Sequence, residues 1–153
     1  MEKRPNKKVY PCDETERLRN LAIEKIKAKF LPNNKIIKIC LIGSSVKNDF
    51  GQYEAPGFRD SLYSDFDFII FVEDDYDIPK WLAKEPDGKP FTNNILNLAY
   101  RNKKFIDNKY DVEVFFIRKH SMSDENIQKE GELAGIPMTS KSTNEHLVIF
   151  LKA

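Results

Sequence analysis

Two stretches of this chain carry side chains with chemistry to offer. Leu41-Ile42-Gly43-Ser44-Ser45 closes an apolar run with a Gly-Ser turn, and Ser64-Asp65-Phe66-Asp67-Phe68 opens the apolar run Ile69-Ile70-Phe71-Val72 with two aspartates. On a strand, side chains two apart share a face, with Cα atoms roughly 6.5–7 Å apart. Carboxylates so placed can share a pair of divalent cations. A Gly-Ser turn leading into a helix can hold phosphate, because glycine permits close backbone approach and the first amides of a helix lack partners. Together they predict metal-dependent chemistry on a nucleoside triphosphate. In such sites the two ions lie about 3.5–4 Å apart and clamp the attacking and leaving oxygens. Magnesium takes oxygen ligands and keeps several waters, so two or three carboxylates plus substrate phosphates suffice. Asp65 and Asp67 would bridge the ions, and a third acid, Glu113 or Asp111, would hold the one that activates an acceptor hydroxyl. Backbone amides and hydroxyls at Ser44 and Ser45 would take phosphate oxygens.

These residues need elements to position them. Asp13 is expected to cap a helix over 14–30, with Glu16 completing a capping box and Leu18, Leu21, Ala22, Ile26 and Phe30 recurring at helical spacing. Pro32-Asn33-Asn34 ends it. Residues 35–42 read as a β-branched strand stopped by Gly43, and 46–63, with Gly51, Pro56 and Gly57, as a short helix and a loop. Residues 65–72 read as a central strand, apolar on both faces beyond Asp67. A Pro- and Gly-rich connection over 79–90 leads to a helix expected over 92–107, then a strand at 111–117. Ser123 or Asp124 can cap a helix to about 132, and 146–151 can add an edge strand. The order predicts an α/β (α+β) fold, a mixed β-sheet with flanking helices. A long helical connection between the second and third strands favours a parallel crossover. If the first strand is antiparallel to the second, Gly43-Ser44, Asp65, Asp67 and the acids of the third strand converge at one end of the sheet.

Composition narrows the classes. With 153 residues and a net charge of +1, the chain is expected to be a single domain and is not a globally basic nucleic-acid coat. Charge is uneven: residues 1–39 hold eleven Lys/Arg against five Asp/Glu, whereas 60–79 hold seven acids and no base. An acidic cluster beside a basic arm suits a cation-plus-phosphate site. No apolar run approaches the length of a membrane span. Cys12 and Cys40 lack CxxC or His partners and read as reduced thiols, and the chain is expected to be cytoplasmic and not membrane-bound.

The residues quoted above resemble the nucleotidyltransferase superfamily that includes DNA polymerase β. Gly43-Ser44 at a strand end, Ser64-Asp65-Phe66-Asp67-Phe68 opening a strand, and Asp111-Val112-Glu113-Val114 on a later one look like its motifs. Gln128–Ile136 is similar to the closing helix and turn of the minimal members. The resemblance spans about 36–136 of a single nucleotidyltransferase-like domain over 1–153. It implies the nucleotidyltransferase fold, binding of magnesium (or manganese) by Asp65, Asp67 and Glu113, and binding of the triphosphate by Gly43, Ser44 and Ser45. The implied reaction moves a nucleoside monophosphate from a triphosphate, with ATP the expected donor, to a hydroxyl on a protein or RNA acceptor. Twenty residues separate Ser44 from Asp65, longer than the family's usual spacer, so 46–63 contains an insertion. The third acid is Glu where the family more often has Asp.

Other readings compete. Minimal members resemble antitoxin components that bind or adenylylate a partner, so an alternative is a partner-binding module with a vestigial site, working with a helical partner protein or as a homo-oligomer. Nucleic-acid binding through the basic N-terminal arm is a third. An Asp-x-Asp phosphatase motif would end an apolar strand, whereas this one begins it. Glu73-Asp74-Asp75 does end the strand and reads as a solvated turn. Lys47 and Arg59 could contact phosphate or simply be surface residues. His120 and His146 have no metal-ligand spacing. Trp81 could stack on a base, but packing beneath a loop is the expectation.

Overall fold

A computed structural model describes residues 6–56, 61–84 and 99–153. In chain order its elements are β1 (Lys7–Val9), α1 (Cys12–Phe30), β2 (Ile36–Ile42), β3 (Gly51–Tyr53), β4 (Phe66–Val72), β5 (Ala83–Lys84), β6 (Ala99–Ile106), β7 (Tyr110–Arg118), α2 (Lys119–Met122), α3 (Glu125–Leu133) and β8 (Leu147–Leu151). Among the described residues, three helices accompany a six-stranded mixed sheet in the order β5-β6-β7-β4-β2-β8; β1 and β3 pair separately. The expected mixed α/β class is borne out. β4 runs parallel to β7 and antiparallel to β2, and β2 in turn pairs antiparallel with the edge strand β8.

The period of two along β4 divides the core. Phe66, Phe68, Ile70 and Val72 join Ile39, Leu41, Val112 and Val114 against Leu18, Ala22, Ile26 and Phe30 of α1. Ile69 and Phe71 face the other way, with Cys40, Ala99, Phe115, Ile117, Ile136 and Met138. Each such large side chain, fully buried, contributes about 1.5–3 kcal/mol of transfer free energy. β4 is therefore apolar on both faces, as expected of a central strand. The odd-numbered face opposite α1 is apolar only over its later half. Its opening half carries Asp67, Asp111 and Glu113.

Several local expectations change. α1 starts at Cys12 with Pro11 at the N-cap and no side-chain cap, so Asp13 and Glu16 do not form a capping box; Asp13 and Glu14 instead lie in the first turn, where they complement the helix dipole. Asp124 does cap α3, accepting from the amides of Asn126 and Ile127. Between 46 and 56 there is no helix: turns lead to β3, whose Gly51 amide donates to Ser64 Oγ at 3.0 Å. The largest correction concerns 92–107. Residues 99–106 are strand β6, paired antiparallel with β7; 92–98 lie outside the described residues. The turn Ile106–Lys109 has φ +55° at both Asp107 and Asn108, and Lys109 N donates to Ile106 O. Two positive φ values define a type I′ hairpin turn, which Asp and Asn tolerate. β4 and β7 are parallel as expected, but the connection between them enters the sheet.

Trp81 stacks on Phe105 with centroids 4.9 Å apart and tilts against Phe30, so its ring is used in packing. No helix among the described residues is long and apolar enough to cross a membrane.

Candidate functional site

Sheet register brings the sequence-distant residues together. Ile42 pairs with Asp67 across the antiparallel β2–β4 ladder, so the turn that follows β2 sits beside the opening of β4. Asp67 is the direct neighbour of Glu113 across the parallel β4–β7 ladder. Neighbouring strands lie about 4.7–4.9 Å apart, so same-face carboxylates at paired positions are close neighbours. Gly43 (φ +87°) meets Asp67 so closely that a Cβ there would fall 2.7 Å from Asp67 Oδ2. The convergence expected of Gly43, Asp67 and Glu113 is thus present at one end of the sheet, and Asp65 joins Glu113 there through a shared bond to Arg101.

The Gly-Ser segment forms a turn and not a helix. Gly43 O accepts from the amides of Val46 and Lys47, and Ser44 O from that of Asp49. Ser44 is half-buried. Ser45 is fully buried, its carbonyl accepts from Arg19 Nη1 at 3.0 Å, and its Oγ has no protein partner. The Ser45 hydroxyl is therefore enclosed, while Gly43 lies against Asp67. Lys47 is exposed, and Arg59 lies outside the described residues.

The residue that sequence reasoning missed is Arg101. It stands on β6 opposite Glu113 and is 5% exposed. Its Nη2 donates to Asp65 Oδ2 at 2.7 Å and to Glu113 Oε2 at 2.6 Å, and its Nη1 donates to Asp111 Oδ2 at 2.8 Å. Asp111 is held from behind as well, its Oδ1 accepting from Lys104 N at 2.9 Å. Removing one member of a buried ion pair typically costs about 3–5 kcal/mol, because the partner charge stays buried. Arg101 therefore holds the acid cluster together. An Arg–Glu cross-strand pair is a recognisable signal once 99–106 is read as a strand.

Among the described residues no three of His, Cys, Asp and Glu stand as a metal-holding group; Arg101 bridges Asp65 and Glu113. The donor chemistry does fit a hard divalent cation. The acids supply carboxylate oxygens without soft ligands, and the missing Cβ of Gly43 leaves room for Asp67 Oδ2. Thiolate chemistry is disfavoured nearby, since burial pushes the Cys40 thiol up to about 11. At the other end of β4, Glu73, Asp74 and Asp75 pair with Lys119, His120 and Lys35, in keeping with a structural turn. The bond from the His120 amide, and then that from its ring, hold the Asp74 carboxyl below its ordinary range.

No model of a known protein family matches this chain, and no curated protein matches it.

Proposed function

We propose that the chain is a metal-dependent nucleotidyltransferase. It would move a nucleoside monophosphate from a triphosphate, ATP being the expected donor, to a hydroxyl on a protein or RNA acceptor. The observation that carries this reading is the convergence of Gly43 from the end of β2, Asp65 and Asp67 from the start of β4, and Glu113 from β7. In the reaction the acceptor oxygen bonds to the α-phosphorus, the bond to pyrophosphate breaks, and the hydroxyl proton leaves to solvent. Asp65, Asp67 and Glu113 would hold magnesium or manganese, which when bound neutralises the phosphates and acidifies the acceptor hydroxyl. Gly43 lets the triphosphate approach the backbone, and the Ser44 amide and hydroxyl orient it. Asp111, engaged by Arg101 and by Lys104 N, fits a supporting role better than that of third ligand. A cytoplasmic setting, where both cysteines stay reduced, belongs to the same proposal.

The ion pairs of Arg101 favour one other reading, a partner-binding module whose acids are permanently neutralised. Incubation with α-labelled triphosphates, Mg²⁺ or Mn²⁺ and cell extract separates the two. Label transfer lost in Asp65→Asn and Asp67→Asn establishes catalysis. A wild-type chain that binds no triphosphate with metal present refutes it and leaves the partner-binding reading.

A further inference from the structure

We propose that Arg101 is a resident cation of the acid cluster, and that a divalent ion competes with it for Asp65 and Glu113 while Asp111 retains the side chain. The inference rests on the function proposed above only in requiring that a cation binds at these acids.

The two arms of the guanidinium are engaged unequally. Nη1 donates to Asp111, which a backbone amide fixes in place. Nη2 is shared between Asp65 and Glu113, which come from different strands. Arg101 is almost fully buried, as are Asp111 and Glu113, whereas the Asp65 side chain is 22% exposed. The cluster therefore opens to solvent on the Asp65 side, the side from which an ion would arrive.

The guanidinium keeps its charge, so Asp65 Oδ2 and Glu113 Oε2 become available to an ion only if it moves. The guanidinium spreads its one positive charge over Asp65, Asp111 and Glu113. A doubly charged ion at Asp65 and Glu113 neutralises them more fully and repels the guanidinium, weakening the Nη2 bonds first. The Nη1–Asp111 pair keeps Arg101 within the cluster, ready to return when the ion leaves. Without a cation, Arg101 prevents mutual repulsion of the buried acids and keeps the site folded. With one, it sets how tightly the ion is held. Arg101 is thus a positioning residue acting through the carboxylates, and the same contacts that would make the site look neutralised become its metal-free state.

Titration of the full chain with Mn²⁺ by calorimetry tests this, with circular dichroism reporting the fold of each variant. Arg101→Gln removes the competitor and is expected to bind Mn²⁺ about tenfold or more tightly than wild type, a gain of ~1.4 kcal/mol or more; Arg101→Lys falls between. Equal or weaker binding by folded Arg101→Gln, or no binding by either protein, overturns the proposal. If Arg101→Gln does not fold, the wild-type guanidinium Nε–Hε resonance, assigned by its loss in Arg101→Lys, decides. A saturable shift with Mg²⁺ supports exchange, and a resonance that stays fixed through saturating Mg²⁺ overturns it. Label transfer with Mn²⁺ affinity insensitive to Arg101 sinks the competition and leaves the transferase. Competition without label transfer does the reverse.

Discussion

Gly43→Ala is the sharpest perturbation of the site, because the structure supplies its own control. Gly43 and Gly135 both have strongly positive φ, +87° and +90°, yet a Cβ at Gly135 meets nothing within 4 Å, whereas one at Gly43 lies 2.7 Å from Asp67 Oδ2. Alanine in the left-handed region costs about 1–2 kcal/mol, and both variants incur that. In a chain of this size each kcal/mol lowers Tm by about 2–4 °C, so Gly135→Ala should lose roughly 2–8 °C. Gly43→Ala carries a further term. A contact at 2.7 Å must open by several tenths of an ångström, and β4 is fixed in a ladder on both sides, so the Asp67 side chain has to yield. That displacement adds ~1 kcal/mol or more to the backbone cost. It also moves a carboxylate out of position, so cation affinity should fall in Gly43→Ala and stay unchanged in Gly135→Ala. Urea unfolding followed by the fluorescence of Trp81, the chain's one tryptophan, gives the stabilities, and Mn²⁺ calorimetry gives the affinities. Equal destabilisation of the two variants together with wild-type cation binding by Gly43→Ala would refute the close approach of the turn to Asp67.

Two further outcomes follow from burial. Cys40 is fully buried with its thiol pushed up to about 11, whereas Cys12 is exposed; iodoacetamide at pH 8 should modify Cys12 and spare Cys40 until urea unfolds the chain. Peptide mapping that finds Cys40 alkylated in the folded protein contradicts the placement of β2 in the core. Burial also raises the Tyr76 phenol to about 12, above the ordinary value near 10. The unfolded chain releases this proton first, so the contribution to stability is complete below about pH 10 and declines as pH rises toward 12. Urea midpoints measured from pH 8 to 11 should fall less steeply in Tyr76→Phe than in wild type, and identical slopes would exclude Tyr76 as a contributor.

The elements with strong apolar periodicity were legible in the amino-acid order. Residues 35–42 and 65–72 read as strands because the first is β-branched and the second apolar on both faces beyond Asp67, and they form β2 and β4; α1 repeats apolar residues on one stripe. β6 was misread because Ala99-Tyr100-Arg101-Asn102-Lys103-Lys104 has only a short apolar pattern, with Ala99 and Arg101 as its buried positions. A buried arginine defeats a hydrophobicity-based reading, which assigns Arg to solvent. The clue that could have corrected it was Asp107-Asn108, a dipeptide suited to the positive φ values of a hairpin turn. The start of α1 was displaced by a residue or two because Pro11 suffices to begin it and no side chain caps it.

By itself the sequence determined which residues have chemistry to offer: glycine for close approach, and Asp65 and Asp67 set two apart at the mouth of an apolar strand. Local spacing and residue type are enough for that. Only the tertiary structure decided what those residues meet. Strand register places Ile42 beside Asp67 and Asp67 beside Glu113, and no local pattern encodes a partner tens of residues away. It also encloses the Ser45 hydroxyl and sets Arg101 among three carboxylates, because burial and ion pairing depend on which strands become neighbours.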